Sequence, residues 1–373
     1  MNLAIVTDTY PPDINGAALT LGRFTQSLIE LGHTVNVIHT GPANASYETS
    51  LSGFRFPFYK EVNIGYPQFF KLRSIWKKNR PDVVYVATEA FLGGSAMLAA
   101  RTLDIPIVAG FHTNFHQYLK RYFIPQIERP ALAFLKGIHN YCDATIVPSQ
   151  HTYDNLEKQG FKNLSVVGRG VNTDRFDPSK RSDKLRKSWG ATDDTCVIIM
   201  VGRIAKEKNL EIAMETIQNL DTKRDVKVVI VGDGPIKQSL EEKYDFPNYH
   251  WTGLKEGEEL AQHYASADVM FFTSETETFG NVITESLASG LITVAYDYAA
   301  ARDHINDGEN GYTAPKGDIK QLTAKLILAI ENKDDSAMRA HAHGSTIQLT
   351  WTNVAKKFAL TLEDSISLNR TTA

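Results

Sequence analysis

The stretch "ADVMFFTSETETFGNVITESLASGLITVAY", residues 267–296, sets two short apolar runs on either side of a polar loop and a helical pattern. "ADVMFFTS" ends in polar residues, "NVITESLASG" reads as a helix closed by Gly290, and "LITVAY" reads as the next buried strand. Strand, loop, helix and strand in that order are the repeating unit of a parallel sheet wrapped by helices. "ETETFG" is then a strand-to-helix loop, with Glu277 in the loop and Glu285 about one turn inside the helix.

The same alternation extends in both directions. Upstream, "LAIVT", "TVNVIH", "DVVYVA", "IPIVAGF" and "ATIVP" read as buried strands, with helices predicted over 17–31, 92–102 and 149–159. The pattern pauses at "GRGVNTDRFDPSKRS", rich in turn formers and charge, and resumes with "CVIIMVG", "VKVVIVG" and "YHWTG". The expectation is an α/β protein of two Rossmann-like domains facing across a cleft, residues 1–175 and 176–351, with ligands at the carboxyl ends of the strands. In the tail, Thr350 or Thr352 is a possible N-cap, and Val354, Phe358, Leu360 and Leu362 recur at roughly helical spacing. A helix over about 352–373 is expected to pack back on the first domain.

Composition narrows the class. The 373 residues carry a net charge of −3 and 42% hydrophobic residues, which suits a folded chain of two domains and excludes a broadly basic nucleic-acid binder. Cys142 and Cys196 have no metal-ligand spacing. The start "MNLAIVTDTYPP" lacks the basic flank and long apolar run of a secretory signal, and no stretch approaches the roughly 20 apolar residues of a membrane helix. A cytoplasmic location is expected, with peripheral contact at the inner face of the membrane.

The chemistry concentrates in the opening stretch and in "VGRIAKEKN". Exposed amides near Gly280, Asn281 and Val282 at a helix start favour an anion such as a phosphate, and Gly280 clears a side chain from its approach. Glu277 before that site suits sugar hydroxyls, and Glu285 suits a ribose diol, since carboxylates accept from paired hydroxyls. Arg203 and Lys208 just past another strand end suit a diphosphate. Together these residues describe a nucleotide-sugar clamp; taken singly, each glutamate or cation reads as a solvated surface charge. No Asp-x-Asp occurs, which removes the usual carboxylate site for a metal bridging a sugar nucleotide, so metal-independent activity without a cofactor is expected. Neither a Gly-x4-Gly-Lys-Ser/Thr loop nor a Gly-x-Gly-x-x-Gly fingerprint appears, which disfavours ATPases and dehydrogenases.

In order and spacing, "GRIAKEKN", "VGDGP", "SETETFGNVITESLASGLITVA" and "DGENGY" resemble the nucleotide-binding half of the family 4 retaining glycosyltransferases, which have the GT-B fold. The likeness reaches the first half through "YPPDINGAA", "LGHTVNVIHTG", "FHTNFHQY" and "GRGVNTDRFDP". The resemblance implies that Arg203 and Lys208 bind the donor diphosphate, Glu277 the transferred sugar and Glu285 the ribose. It implies backbone contacts from Phe279, Gly280, Asn281 and Val282, and base contacts from backbone around Leu254. Gly16 would let the first half close on the β-phosphate, and His112 would lie beside the anomeric carbon, while His116 reads as bland. Many relatives carry "GGxxE" where this chain has "YAAARDHI", so the stretch from Tyr298 to Asp303 receives no role.

The nearest flavour is that of lipid-glycosylating and mannosyl-transferring members, which implies a hexosyl donor such as GDP-mannose or a UDP-sugar. "FRFPFYKEVNIGYPQFFKLRSIWKKNR" interleaves aromatics with Arg55, Lys60, Lys71, Arg73, Lys77, Lys78 and Arg80 against Glu61 alone, and "YLKRYFIPQIERPALAFLKG" repeats the pattern. Such a surface suits an anionic membrane and a lipid acceptor, diacylglycerol or a phosphoinositide-like lipid. The plainer reading is a helix packed on its sheet with a basic solvent face. Other readings of the whole are a transferase with a soluble or polysaccharide-precursor acceptor, a non-hydrolysing sugar-nucleotide epimerase, and a non-catalytic sensor.

Overall fold

The computed structural model describes residues 1–13, 15–56, 59–112, 128–220 and 225–372. His116, Phe58 and residues 118–127 of the second aromatic and basic stretch lie outside them. The chain divides into two compact units, Met1–Gly170 with Trp351–Ala373, and Val171–Thr350.

The first unit runs β1 (Asn2–Val6), α1 (Gly16–Glu30), β2 (Thr34–His39), β3 (Glu48–Ser50), β4 (Gly53–Phe56), β5 (Tyr59–Gly65), α2 (Phe69–Lys78), β6 (Val83–Val86) and α3 (Phe91–Arg101). It continues with β7 (Ile107–Gly110), α4 (Glu128–Tyr141), β8 (Ala144–Val147), α5 (Gln150–Lys158) and β9 (Leu164–Val166). Its sheet has the order β3-β2-β1-β6-β7-β8-β9, with every pairing parallel. The strand order therefore reverses between β1 and β6, which is where an open α/β sheet parts its loops for a ligand.

The second unit runs α6 (Asp183–Ser188), β10 (Cys196–Val201), α7 (Leu210–Gln218), β11 (Val226–Val231), α8 (Lys237–Lys243), β12 (Tyr249–Gly253) and α9 (Gly257–Ser266). It continues with β13 (Val269–Phe272), α10 (Asn281–Ala288), β14 (Ile292–Tyr296), α11 (Ala299–His304), β15 (Gly311–Ala314), α12 (Ile319–Glu331) and α13 (Ser336–Gly344). A parallel sheet of order β12-β11-β10-β13-β14-β15 results. Every residue of β6, β8, β13 and β14 is buried, which is why these strands read as unbroken apolar runs.

The charged stretch before β10 is bound to this unit by a buried carboxylate. Asp268 accepts from Arg186 at 3.0 Å, Arg181 at 3.2 Å and the amide of Val197 at 2.9 Å. Arg181 looks like a linker charge in the sequence because its partner lies 87 residues downstream.

The final helix, α14 (Trp351–Thr372), belongs to the first unit and lies against α1 and β6. Thr350 immediately precedes its first residue, whereas Thr352 lies inside it. Val354, Phe358 and Leu362 are buried at i, i+4 and i+8, but Leu360 is 60% exposed, contrary to its grouping with the apolar face. Two residues from Phe358, at about 100° per residue, it points to the opposite side. Phe358 stacks on Phe24 with centroids 4.7 Å apart and meets Tyr85 edge-on at 4.8 Å.

The short strands β3, β9 and β15 and the antiparallel hairpin β4–β5 have no counterpart in the sequence reading. Three- and four-residue strands fall below the length at which periodicity decides, and in the hairpin Pro57 and the interleaved charges mask the alternation.

Replacing Phe358 by Ala leaves a cavity between the rings of Phe24 and Tyr85 and should destabilise the first unit by about 3–5 kcal/mol, whereas Leu360→Ala should stay within about 0.5 kcal/mol. Urea unfolding followed by hydrogen exchange on α1 and β6 reads this out; equal effects of the two changes would contradict the packing.

Candidate active site

In the second unit the expected residues stand past the carboxyl ends of β10, β12 and β13. Arg203 follows β10 and is exposed, and a single 3-10 turn, Lys206–Lys208, carries Lys208. That turn is fastened to the loop after β13. Thr273 Oγ1 donates to the carbonyls of Lys208 at 3.2 Å and Asn209 at 3.0 Å, and Ser274 and Thr276 donate to the carbonyl of Glu207. This lacing brings Lys208 Nζ into direct contact with Glu277 Oε1, both side chains being largely shielded. Residues that the sequence places 69 apart thus form one charge-neutral pair.

Gly280 caps α10 with φ +97°, a backbone shape that favours glycine, and no side chain caps the helix there. The amides at this helix start therefore keep the polarity that draws an anion. Phe279 is buried with its ring 5.8 Å from His304, and its carbonyl accepts from Ala300 at 2.9 Å.

Glu285 is the fifth residue of α10 and accepts from the Tyr264 hydroxyl at 3.1 Å. Its surface is only partly covered by area, yet the carboxyl is enclosed, and burial pushes it up to about 7 against the lowering pull of Tyr264 and Arg175. Leu254, just past β12, is 58% exposed. Tyr298 is buried and Asp303 exposed on α11, and neither receives a role.

In the first unit His112 follows β7, with Nε2 2.7 Å from the Tyr85 hydroxyl. It lines a small pocket with Thr20, Phe24, Tyr85, Phe111 and Arg169. Burial, with the Arg169 charge added, holds His112 down at about 3, so the imidazole is neutral. Gly16 is the first residue of α1, whose N-cap Asn15 accepts from Ala18 at 2.9 Å, and a Cβ built on Gly16 would lie 3.7 Å from Arg169 Nη1. The structure thus adds Arg169 and Tyr85 to the residues foreseen. Arg169 lay in "GRGVN", read as a linker, and Tyr85 lay inside a strand read as core.

A second polar group closes the switch point. Asp8, past β1, accepts from the Gly65 amide and from Thr88 Oγ1, both at 2.7 Å, and burial raises its carboxyl above the usual range. Beside it Glu89 meets buried His139 at 2.9 Å. Among the described residues no group of three or more His, Cys, Asp or Glu side chains is arranged to hold a metal ion, and no helix is long and apolar enough to cross a membrane.

The two halves match family models in order, "Glycosyltransferase Family 4" over residues 14–175 and "Glycosyl transferases group 1" over residues 181–344. A GDP-mannose-dependent alpha-mannosyltransferase of Corynebacterium glutamicum is 32% identical over 99% of this chain and 90% of its own length. An alpha-monoglucosyldiacylglycerol synthase of Streptococcus pneumoniae is 27% identical over 82% of this chain and 74% of its own. Among solved structures, sucrose-phosphate synthase of Thermosynechococcus elongatus superposes with a TM-score of 0.77 at 15% identity, covering 99% of this chain and 100% of that one, a likeness of fold. With two parallel-sheet units, both family models in sequence and a relative at this identity over nearly its full length, the chain belongs to the family 4 glycosyltransferases of GT-B fold.

Proposed function

We propose that the chain transfers a hexosyl unit from a nucleotide-sugar to a hydroxyl of a membrane lipid, with retention at the anomeric carbon. GDP-mannose is the favoured donor, from the mannosyltransferase likeness over 99% of the chain. UDP-glucose is the second reading, from the diacylglycerol glucosyltransferase likeness. The contact between Lys208 and Glu277 carries the proposal, because it sets a cation and a hydroxyl acceptor side by side next to a helix start.

In this reading Arg203, Lys208 and the amides at Gly280, Asn281 and Val282 stabilise the diphosphate as the anomeric carbon–oxygen bond breaks. The acceptor oxygen bonds to that carbon from the same face, and its proton passes to an oxygen of the departing diphosphate. Glu277 orients the sugar, Glu285 the ribose, and backbone near Leu254 the base; His112 and Gly16 serve the sugar and β-phosphate. Positive side chains and a helix terminus supply the electrostatic work, so turnover is proposed to be independent of a divalent metal.

Attachment to the membrane is assigned to the basic face of the first unit. Helix α2 buries Leu72 and Trp76 and exposes Lys71, Lys77 and Lys78, with Phe70 85% exposed at its start and Tyr66 47% exposed just before it. A ring and several lysines on one surface are what an anionic interface attracts.

Supplying GDP-mannose and UDP-glucose in turn with a lipid extract, and identifying the product by mass, tests the proposal; turnover of neither would sink it. Lys208→Ala should lower kcat by about 10²-fold or more. Glu277→Gln should lower transfer while GDP affinity holds or rises, since Lys208 loses its competing carboxylate, and parallel losses of affinity and turnover would contradict the assignment.

Glu285 provides a pH signature. Its folded-state carboxyl is raised, so it is protonated below about pH 7 and ionised above, and only the ionised form accepts from both ribose hydroxyls. GDP affinity measured by calorimetry should therefore rise between about pH 6 and about pH 8, and the slope should vanish in Glu285→Gln.

Binding to vesicles containing anionic lipid should weaken with salt and fall at least about 10²-fold when Lys71, Lys77 and Lys78 are all replaced by Glu. Sedimentation that responds to neither change would remove the α2 surface from the proposal.

A further inference from the structure

His112 is held by a neighbour that the family likeness does not assign. Tyr85 stands on β6 and His112 just past β7, adjacent parallel strands, and their rings meet edge-on at 87° with the phenol oxygen 2.7 Å from Nε2. Gly110, the last residue of β7, makes the contact possible: a Cβ there would collide with the Tyr85 hydroxyl and lie 2.7 Å from His112 Nε2. Any other residue at 110 would drive the two side chains apart.

The direction of the hydrogen bond follows from burial. Tyr85 has no exposed surface, and among the described residues the hydrogen-bond partner of its hydroxyl is His112 Nε2. A buried hydroxyl proton needs an acceptor, and the lone pair of Nε2 is the one within reach. Were Nε2 to carry the ring proton and donate it instead, the phenol proton would be stranded in the core. Burial raises the Tyr85 phenol far above its ordinary range, so it stays a donor, and the imidazole is neutral with one ring proton to place. That proton belongs on Nδ1.

We propose that Tyr85 is a positioning residue that fixes His112 as the Nδ1–H tautomer, so that His112 presents a hydrogen-bond donor to an oxygen of the transferred sugar. His112 then does not serve as base toward the acceptor hydroxyl. The inference rests on the reading of His112 as the residue beside the sugar. Nδ1 meets no hydrogen-bond partner among the described residues, which leaves its N–H available to a ligand oxygen. A donor with its tautomer fixed in advance needs no reorganisation when the sugar arrives.

The test is nitrogen NMR of the full chain labelled with 15N-histidine at neutral pH, with His112→Asn identifying the His112 signals. The expected spectrum has His112 Nδ1 protonated and Nε2 bare, and Tyr85→Phe should convert it into a mixture of tautomers. The same substitution should lower kcat by about 10- to 100-fold, the scale set by removing the partner that orients a metal-bound histidine, with little change in KM for the nucleotide-sugar. A wild-type His112 carrying its proton on Nε2 overturns the tautomer assignment without any variant having to fold. A locked Nδ1–H tautomer together with unchanged kcat in both Tyr85→Phe and His112→Ala overturns instead the assignment of His112 to the sugar, so the two failures are told apart.

Discussion

A parallel sheet covered on both faces leaves one place where polar side chains can act without stranding a charge in apolar surroundings, the space just beyond the carboxyl ends of its strands. Both units obey this constraint. Asp8, Thr88, His112 and Arg169 lie past β1, β6, β7 and β9, and Arg203, Leu254 and Glu277 past β10, β12 and β13. Everything polar that the proposed reaction uses is at a strand end or in the first turns of the helix that follows. The strands themselves are mostly apolar, as in "CVIIMV" and "VMFF".

Charges in the second unit are grouped in two places. Past the strand ends Lys208 and Glu277 neutralise each other; at the opposite, amino-terminal edge of the sheet Asp268, just before β13, collects Arg181, Arg186 and, at 3.5 Å, Arg339. The two groupings differ in burial. Asp268 and Arg186 are almost wholly buried, a setting in which removing one partner leaves an uncompensated charge, so that cluster is architectural. Lys208 keeps 22% and Glu277 13% of its side-chain surface, enough access for a diphosphate to compete for the ammonium and for sugar hydroxyls to reach the carboxylate. In the proposed reaction the ion pair therefore positions both groups without locking either.

Much of this was legible in the residue pattern, for identifiable reasons. Strands that are buried on both faces announce themselves as apolar runs, so "CVIIMVG" and "LITVAY" needed no other cue, and Gly280 stands at the start of α10 as the loop-to-helix reading placed it. What escaped were features whose cause lies across the fold. Tyr85 reads as one more core aromatic because nothing near it in the chain reveals His112, which arrives 27 residues later on the next strand. Arg181 reads as linker charge because Asp268 is distant in sequence, and Leu360 was misplaced because an apolar residue at i+2 can be counted into a loose helical pattern although it faces water.

The last helix ties these threads together. Phe358 of α14 packs edge-on against the ring of Tyr85 and stacks on Phe24 of α1, whose first residue is Gly16. The far end of the chain is thus one wall of the cavity that fixes Tyr85, and Tyr85 in turn fixes His112. A ring wedged between neighbours in a close-packed core has little freedom to tilt, so the phenol oxygen is held by packing before it is held by its hydrogen bond. In the proposed reading, precision at His112 then depends on residues at 24, 110 and 358 to which no donor contact is assigned, and the 22-residue C-terminal helix supports His112 as well as the stability of the unit it joins.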